Sequence, residues 1–204
     1  MQVRQLEITG AVEFTPKTFP DSRGLFTAPF QEPVFAEALG HPLRVAQTNH
    51  SVSARNVIRG VHFADVPPGQ AKYVYCPKGA LLDVVVDIRV GSPTFGRWEA
   101  IRLDDTEYRA VYLAEGLGHA FIALTDDTVM SYLCSTPYNP PAEHGINPLD
   151  PQLGLPWQEH LTGEPVLSEK DRTAPSLAEA QQAGLLPDYQ QCLARYEELR
   201  QQAG

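Results

Sequence analysis

The sequence has few cysteines and no long apolar run. Its three cysteines, Cys76, Cys134 and Cys192, are odd in number, widely separated and in no CxxC pair. Such spacing signals neither a disulfide framework nor a zinc site, so we expect buried or idle thiols. The first ten residues lack the apolar core of a signal peptide, and no later stretch approaches the length of a membrane span. A soluble, cytoplasmic protein is therefore expected.

Positive charge is also scarce. The chain has 16 Lys and Arg residues against 25 Asp and Glu residues, which gives a net charge of -9. Nucleic-acid-binding proteins usually carry a basic patch or stripe, so a nucleic acid polymer is not expected as a partner. A single nucleotide remains compatible with this charge, because a few Arg and Lys side chains in one pocket can neutralise a diphosphate.

The 204 residues are enough for one well-buried core, and the ordinary content of 43% hydrophobic residues predicts one globular domain. Between residues 12 and about 137, short β-branched and aromatic stretches alternate with Gly, Pro, Asp and Asn. They include residues 71–76, 81–90, 110–113 and 129–134. This pattern predicts an antiparallel sandwich or barrel and argues against a doubly wound α/β fold. In residues 82–89, alternation places Leu82, Val84, Val86 and Ile88 on one face, which is predicted to be core.

Helices are predicted in few places. Residues 32–39, followed by Gly40, have the pattern of a short helix with a glycine stop. The many prolines after Pro137 predict an ordered-loop wrap rather than more sheet. We thus expect residues 1–175 to form the main domain with its proline-rich wrap, and residues 176–204 a helical extension of it.

The extension begins with a capping-box pattern from Ser176 to Glu179. A second helix is predicted from about residue 188 to residue 202. Its predicted apolar face contains Tyr189, Leu193, Tyr196 and Leu199.

A candidate for chemistry lies in the motif Arg59-Gly-Val-His62, which is followed ten positions later by Lys72. Histidine titrates near neutrality, which suits a general base, and lysine can stabilise a developing oxyanion. By itself the pattern is weak, because catalysis needs a convergent site and a lone histidine is more often structural. The structural interpretation is kept for His41, His50, His144 and His160.

The order of several stretches along the chain is more specific. They are DSRG at 21–24, QTNHS at 47–51, RGVH at 59–62, QAK at 70–72, DVVVDIR at 83–89, SPTFG at 92–96, GH at 118–119, Tyr132, Tyr138, Glu143 and LSEKD at 167–171. In sequence and spacing they resemble the dTDP-4-dehydrorhamnose 3,5-epimerase family, from about Arg23 to Pro175. So many matches in order make chance a poor explanation.

The resemblance implies a mainly β fold, a double-stranded β-helix or cupin-like jelly roll, here with a C-terminal helical extension. It also implies a homodimer in which Arg23 and Phe26 of one subunit complete the active site of the other. The implied activity is epimerisation of a dTDP-linked 4-keto-6-deoxy sugar at C3, C5 or both, without a cofactor or metal.

Residue roles also follow from the resemblance. His62 resembles the base that removes a proton next to the C4 ketone, and Asp171 resembles the carboxylate that orients it. Lys72 would face the C4 oxygen, and Tyr132 would donate a proton from the opposite face of the sugar. The positions that resemble substrate-binding residues are Gln47, Asn49, Arg59, His119, Tyr138, Glu143 and Lys170, with Tyr138 stacking on thymine.

Two features depart from the family pattern. Ala28, followed by Pro29, stands where an acidic residue is common, and the chain continues as a helical tail past Pro175. Both features resemble members of antibiotic-sugar pathways, some of which invert one carbon only. The hypothesis is that this chain inverts one carbon, with C3 favoured over C5.

Other interpretations remain open at this point. A cupin-like metal centre could use His62, His119 and an acidic residue, although the usual ligand spacing is missing. The chain could also be a non-catalytic module that binds a sugar nucleotide. Individually, Arg59, Lys170 and Glu143 could belong to surface ion pairs, and Tyr132 and Tyr138 could be ordinary sheet aromatics.

Overall fold

A computed structural model describes residues 1–203 of the chain, and strands dominate it. The strands are β1 (Gln2–Gln5), β2 (Ala11–Thr15), β3 (Thr18–Asp21), β4 (Gly24–Thr27), β5 (Gln47–Ser53), β6 (Ile58–Ala64), β7 (Lys72–Lys78), β8 (Ala80–Val86), β9 (Trp98–Asp104), β10 (Ala110–Leu113), β11 (Gly118–Ala123), β12 (Thr128–Cys134) and β13 (Glu143–Gly145). The four α-helices are α1 (Glu32–Leu39), α2 (Glu169–Arg172), α3 (Leu177–Gln182) and α4 (Tyr189–Gln201).

The strands form two main antiparallel sheets. One sheet has the order β1-β2-β10-β7-β12-β5 and the other has the order β13-β6-β11-β8-β9, while β3 and β4 form a separate hairpin. The crossovers between non-consecutive neighbours build a double-stranded β-helix, the cupin-like jelly roll. The predicted fold class is therefore confirmed.

Apolar side chains fill three layers around these sheets. The core between the sheets contains Val74, Val85, Leu113, Phe121 and Met130. A second cluster covers the outer face of the five-stranded sheet, and a third covers the outer face of the six-stranded sheet. Because both sheets are covered on both faces over much of their area, their central strands are buried on each side.

Strand β8 shows the effect of this double burial. The predicted face of Leu82, Val84 and Val86 packs in the outer cluster, while Val85 packs between the sheets. All seven residues of β8 are buried, so the strand has no solvent-facing side. The prediction that the strand continues to residue 90 was wrong, because pairing with β9 ends at Val86.

Directly after β8, Asp87 and Arg89 form a buried ion pair. Nε and the second terminal nitrogen of Arg89 donate to Asp87 at 2.8 and 2.7 Å, and its other terminal nitrogen donates to the Tyr196 hydroxyl at 3.1 Å. The hydroxyls of Ser92 and Thr94 also donate to Asp87, each at 2.6 Å. With every polar group of the pair engaged, this network ties helix α4 to the jelly roll.

Helices α1, α3 and α4 agree closely with their sequence patterns. Helix α1 spans Glu32–Leu39 and ends at Gly40, whose φ of 78° is the left-handed conformation that favours glycine. The capping box between Ser176 and Glu179 is formed. Helix α4 buries Tyr196 as predicted and also Cys192, which adds to its apolar face.

The segment after residue 137 differs from the predicted loop wrap in two respects, the short helix α2 and an added strand. It contains short 3₁₀ turns, but residues 143–145 form β13, which adds a strand to the five-stranded sheet beside β6. The prediction of no further sheet was wrong here because β6 would otherwise leave an open edge. No helix in residues 1–203 is long and apolar enough to cross a membrane.

Candidate active site

A cavity of about 560 Å³ opens between the two sheets at one end of the jelly roll. Strands β5, β7 and β12 form one wall, strands β6 and β11 form the other, and residues 166–171 cover part of the rim. Such a concave site with several convergent polar groups is the usual form of a small-molecule site.

The cavity exists because the inward-facing residues change from apolar to polar along single strands. In β12, Met130 packs in the core, whereas Tyr132 and Cys134 line the cavity. In β7, Val74 belongs to the core and Lys72 to the cavity. Since alternate residues of a strand face the same side, one end of the barrel is filled and the other is left open and polar.

His62 lies on the β6 wall and is paired with Asp171. Nε2 of His62 is 2.6 Å from Oδ1 of Asp171, and the side chains are 35% and 6% exposed. The carboxylate accepts from Nε2–H, so Nδ1 keeps a free lone pair. Burial raises the pKa of Asp171, but hydrogen bonds and charge from His62 outweigh burial, and the pKa lies below its ordinary value. Asp171 is thus held as a carboxylate.

The backbone conformation at position 60 explains why the Arg59-Gly-Val-His62 motif has a glycine there. Its φ is +112°, and a Cβ atom added there would lie 2.4 Å from the carbonyl oxygen of His119. This close approach of β6 to β11 places His62 directly opposite His119 in the register. A side chain at position 60 would push the two histidines apart.

His119 forms a second histidine–carboxylate pair. Its Nε2 is 2.6 Å from Oδ1 of Asp83, and both residues are buried. The other oxygen of Asp83 has no hydrogen-bond partner among residues 1–203. Asp83 therefore fixes the His119 ring from the inner side of β8.

Tyr132 lies on the opposite wall, in the six-stranded sheet. Its hydroxyl is 3.1 Å from the hydroxyl of Ser51, and its ring is 6.3 Å from the His119 ring in an edge-on arrangement. Burial raises the pKa of Tyr132 to about 12, although Ser51 and the charge of Arg59 act in the other direction. Tyr132 is consequently a protonated phenol at neutral pH and a possible proton donor.

Three cations line the cavity without an acidic partner. Arg59 donates to the Ser53 hydroxyl at 3.1 Å and to the Val52 carbonyl, and no ion pair of Arg59, Lys72 or Lys170 occurs within residues 1–203. Burial lowers the pKa of Lys72, although the neighbouring carboxyl groups of Glu143 and Asp83 act in the other direction. In a chain of net charge -9, three unpaired cations in one cavity indicate an anionic ligand.

The surface ion pairs considered for Arg59, Lys170 and Glu143 from sequence are absent from the described residues. Glu143 lies on the cavity wall beside the exposed ring of Tyr138. Gln47 connects two parts of this wall, because its amide nitrogen donates to Asn49 at 2.7 Å and its oxygen accepts from the Tyr138 backbone at 2.9 Å.

Two of the candidate residues lie away from this cavity. Arg23 and Phe26 belong to the β3–β4 hairpin, where the Arg23 side chain is 88% exposed and Phe26 is 67% exposed. Arg23 contacts only Asp21 of the same hairpin within residues 1–203. The cavity of one chain therefore contains the other predicted site residues but not these two.

Sequence reasoning missed several residues of the site. Asp83 was placed on a strand face without a role, Ser51 was part of a matched stretch only, and Cys134 was expected to be a buried or idle thiol. His50, kept as structural, bonds to Ser131 and borders the cavity. Cys134 lies two residues from Tyr132 on the same strand, so strand alternation was the available signal for it.

The arrangement of the histidines does not favour the metal alternative. Nε2 of His62 contacts Asp171, and Nε2 of His119 contacts Asp83. The two histidines lie on different strands, β6 and β11. Residues 1–203 contain no group of three or more His, Cys, Asp or Glu side chains placed to hold a metal ion. The paired arrangement suits acid–base work better than ligation.

Comparison with known proteins agrees with these features. The family model described as dTDP-4-dehydrorhamnose 3,5-epimerase matches residues 5–179. The chain is 56% identical to a dTDP-4-dehydrorhamnose 3-epimerase of Streptomyces niveus, over 95% of this chain and 92% of the relative. It is also 56% identical to a dTDP-4-dehydrorhamnose 3,5-epimerase of Mycolicibacterium smegmatis, over 98% of each chain.

A solved structure is similar along nearly the whole fold. It is the 3'-monoepimerase ChmJ of Streptomyces bikiniensis in complex with dTDP-quinovose, with a TM-score of 0.93, 49% identity, and coverage of 96% of this chain and 98% of ChmJ. The family match spans most of the chain. Sequence identities of 56% are also far higher than those of proteins that share only a fold. This chain belongs to the dTDP-4-dehydrorhamnose 3,5-epimerase family.

Proposed function

We propose that the protein epimerises a dTDP-linked 4-keto-6-deoxyhexose at C3, C5 or both, in the biosynthesis of a deoxysugar. The main support is that a histidine–carboxylate pair and a protonated tyrosine project into one cavity from opposing sheets. Inversion requires proton removal on one face of a carbon and proton delivery on the other, so opposing walls suit it.

In this proposal, His62 removes the proton from the carbon next to the C4 ketone. The C–H electron pair forms an enolate whose negative charge develops on the C4 oxygen, where Lys72 stabilises it. Tyr132 then gives its proton to the opposite face of the same carbon, and the carbonyl forms again. Asp171 accepts from His62 throughout and stabilises the imidazolium.

The nucleotide part of the substrate is assigned to the remaining cavity residues. Arg59 and Lys170 are free cations for the diphosphate, and Gln47 and Asn49 supply amide groups. Tyr138, which is 58% exposed, offers a flat ring for thymine beside Glu143. These groups leave the sugar between His62 and Tyr132.

We further propose a homodimer in which the β3–β4 hairpin completes the partner's cavity. The hairpin pairs with neither main sheet and exposes Phe19 and Phe26 together with the Arg23 guanidinium. Exposed aromatic rings next to arginine are typical of interface residues. The three free buried cysteines also fit the reducing cytoplasm, where we place the reaction.

The shared site can be tested by subunit mixing. Arg23→Ala and His62→Ala should each be impaired alone, Arg23→Ala by about tenfold through loss of a charge-assisted contact. Unfolding and refolding the two variants together at equal amounts should restore up to about a quarter of wild-type activity, because half of the dimers would contain one intact site. If the refolded mixture had only the average activity of the two separate variants, an active site shared between two subunits would be contradicted.

We propose that one carbon is inverted much faster than the other, with C3 favoured. Ala28 supplies no carboxylate at the end of the hairpin, and the adjacent Pro29 carbonyl accepts from the core residue Tyr73 at 2.6 Å. Without an acidic contact from the partner, the sugar is held less firmly for a second inversion. The two relatives of equal identity differ in this property, one being a 3-epimerase and the other a 3,5-epimerase.

Time-resolved NMR of dTDP-4-keto-6-deoxyglucose in deuterated water tests both the function and this preference. Deuterium should enter C3 at least tenfold faster than C5, which corresponds to the loss of one charge-assisted contact. Comparable rates at the two carbons would reject the preference for C3 but would agree with the proposed epimerase function. No exchange at either carbon would reject the epimerase itself.

A further inference from the structure

Tyr132 has one side-chain hydrogen-bond partner within residues 1–203, the hydroxyl of Ser51 at 3.1 Å. Ser51 lies on β5, two positions along from Asn49, the direct register partner of Tyr132. Both side chains face the cavity. The contact thus joins the proposed acid to the neighbouring strand, on the wall opposite His62.

A tyrosine that gives up a proton in this place becomes a phenolate in a poorly solvated pocket. Burial raises the pKa of Tyr132, and Asp83 and Cys134 act in the same direction. Arg59 and Ser51 oppose this effect, Arg59 by its charge and Ser51 by its hydrogen bond. A hydroxyl that donates to the phenolate therefore stabilises the form that proton transfer produces.

Ser51 also lies at the edge of the six-stranded sheet. Strand β5 is an edge of the six-stranded sheet, and Ser51 is half-buried at the cavity wall, whereas its neighbour Val52 is exposed. Arg59 is anchored to the same strand through the Ser53 hydroxyl. A hydroxyl can donate and accept at once, so it can connect the buried phenol with solvent.

We infer that Ser51 is the positioning residue of Tyr132, and that it stabilises the phenolate and returns its proton after each inversion. This inference rests on the proposed epimerase function. When Tyr132 protonates the sugar carbon, the Tyr132 O–H bond breaks and the C–H bond forms, while Ser51 donates to the phenolate oxygen. The Ser51 proton then passes to Tyr132 as Ser51 takes one from water, and His62 releases to water the proton it removed.

The test compares two rates for each variant in deuterated water, inversion and deuterium exchange without inversion. Ser51→Ala should lower inversion by about tenfold and leave exchange through His62 within about twofold of wild type. Ser51→Thr keeps a hydroxyl and should restore most of the inversion. Thr48→Ala, on the outward face of the same strand, should leave both rates unchanged.

A purely structural effect of the substitution would lower both rates together and keep their ratio, which would overturn the inference. Ser51→Ala made in a Tyr132→Phe background should not lower the residual inversion further, because the contact it removes is already missing. An additional loss there would also overturn it. A wild-type enzyme without any exchange would instead contradict the proposed function, so the two failures are distinguishable.

Discussion

His62→Ala should reduce deuterium exchange at every carbon of dTDP-4-keto-6-deoxyglucose by about a hundredfold or more. The variant removes the imidazole whose Nε2 is held by Asp171 at 2.6 Å and which faces the cavity from the wall opposite Tyr132. Nucleotide binding should remain within a few-fold of wild type, because Arg59, Lys170 and Tyr138 are unchanged. Exchange is measured by NMR in deuterated water, and binding of dTDP by calorimetry.

A histidine outside the cavity provides the matched control. His160 follows the 3₁₀ turn Pro156–Glu159 and does not line the cavity. His160→Ala should exchange and invert like wild type. If His62→Ala exchanged at a rate near wild type, the base would have to be another group of the cavity.

Tyr132→Phe should separate inversion from exchange. The variant loses the phenol hydroxyl on the wall opposite His62, so inverted product should fall by about a hundredfold or more. Exchange should continue in part, because His62 can return a deuteron to the face from which it took the proton. Integration of the C3 and C5 signals, together with analysis of the product sugar, gives both rates from one sample.

Tyr108→Phe is the control for this substitution, since Tyr108 lies in the loop after β9 and outside the cavity. It should change neither rate. Equal losses of exchange and inversion in Tyr132→Phe would argue that one residue serves both steps, against the division between the two walls.

The sequence predicted the elements that depend on local patterns. Helix α1 and its Gly40 stop follow from helix periodicity and from the conformational freedom of glycine. The capping box at Ser176 is likewise a contact between residues three apart. The end of β8 and the strand β13 were predicted wrongly. Pairing of β8 with β9 ends at Val86 although the alternating pattern continues to Arg89, and β13 is formed by pairing with β6. Strand pairing depends on the neighbouring strand and is not visible in the alternation of a single stretch.

The site was predicted to a large extent because its residue types occur in a specific order. The motif matches proposed His62, Lys72, Tyr132 and Asp171, and the structure brings all four to one cavity. Their roles remain proposals that the variants above test. The match could not indicate Ser51 or Asp83 as partners, because hydrogen bonds to Tyr132 and His119 join strands far apart in sequence.

By itself, the sequence determined the class of fold, the local helices and the list of candidate residues, since these depend on periodicity, caps and motif order. Only the tertiary structure decided how the candidates are paired and on which wall each one lies. His62 and Asp171 are 109 residues apart, yet their atoms are 2.6 Å apart. Such pairs depend on strand order and register across two sheets, which are set by packing of the whole core and not by any single stretch.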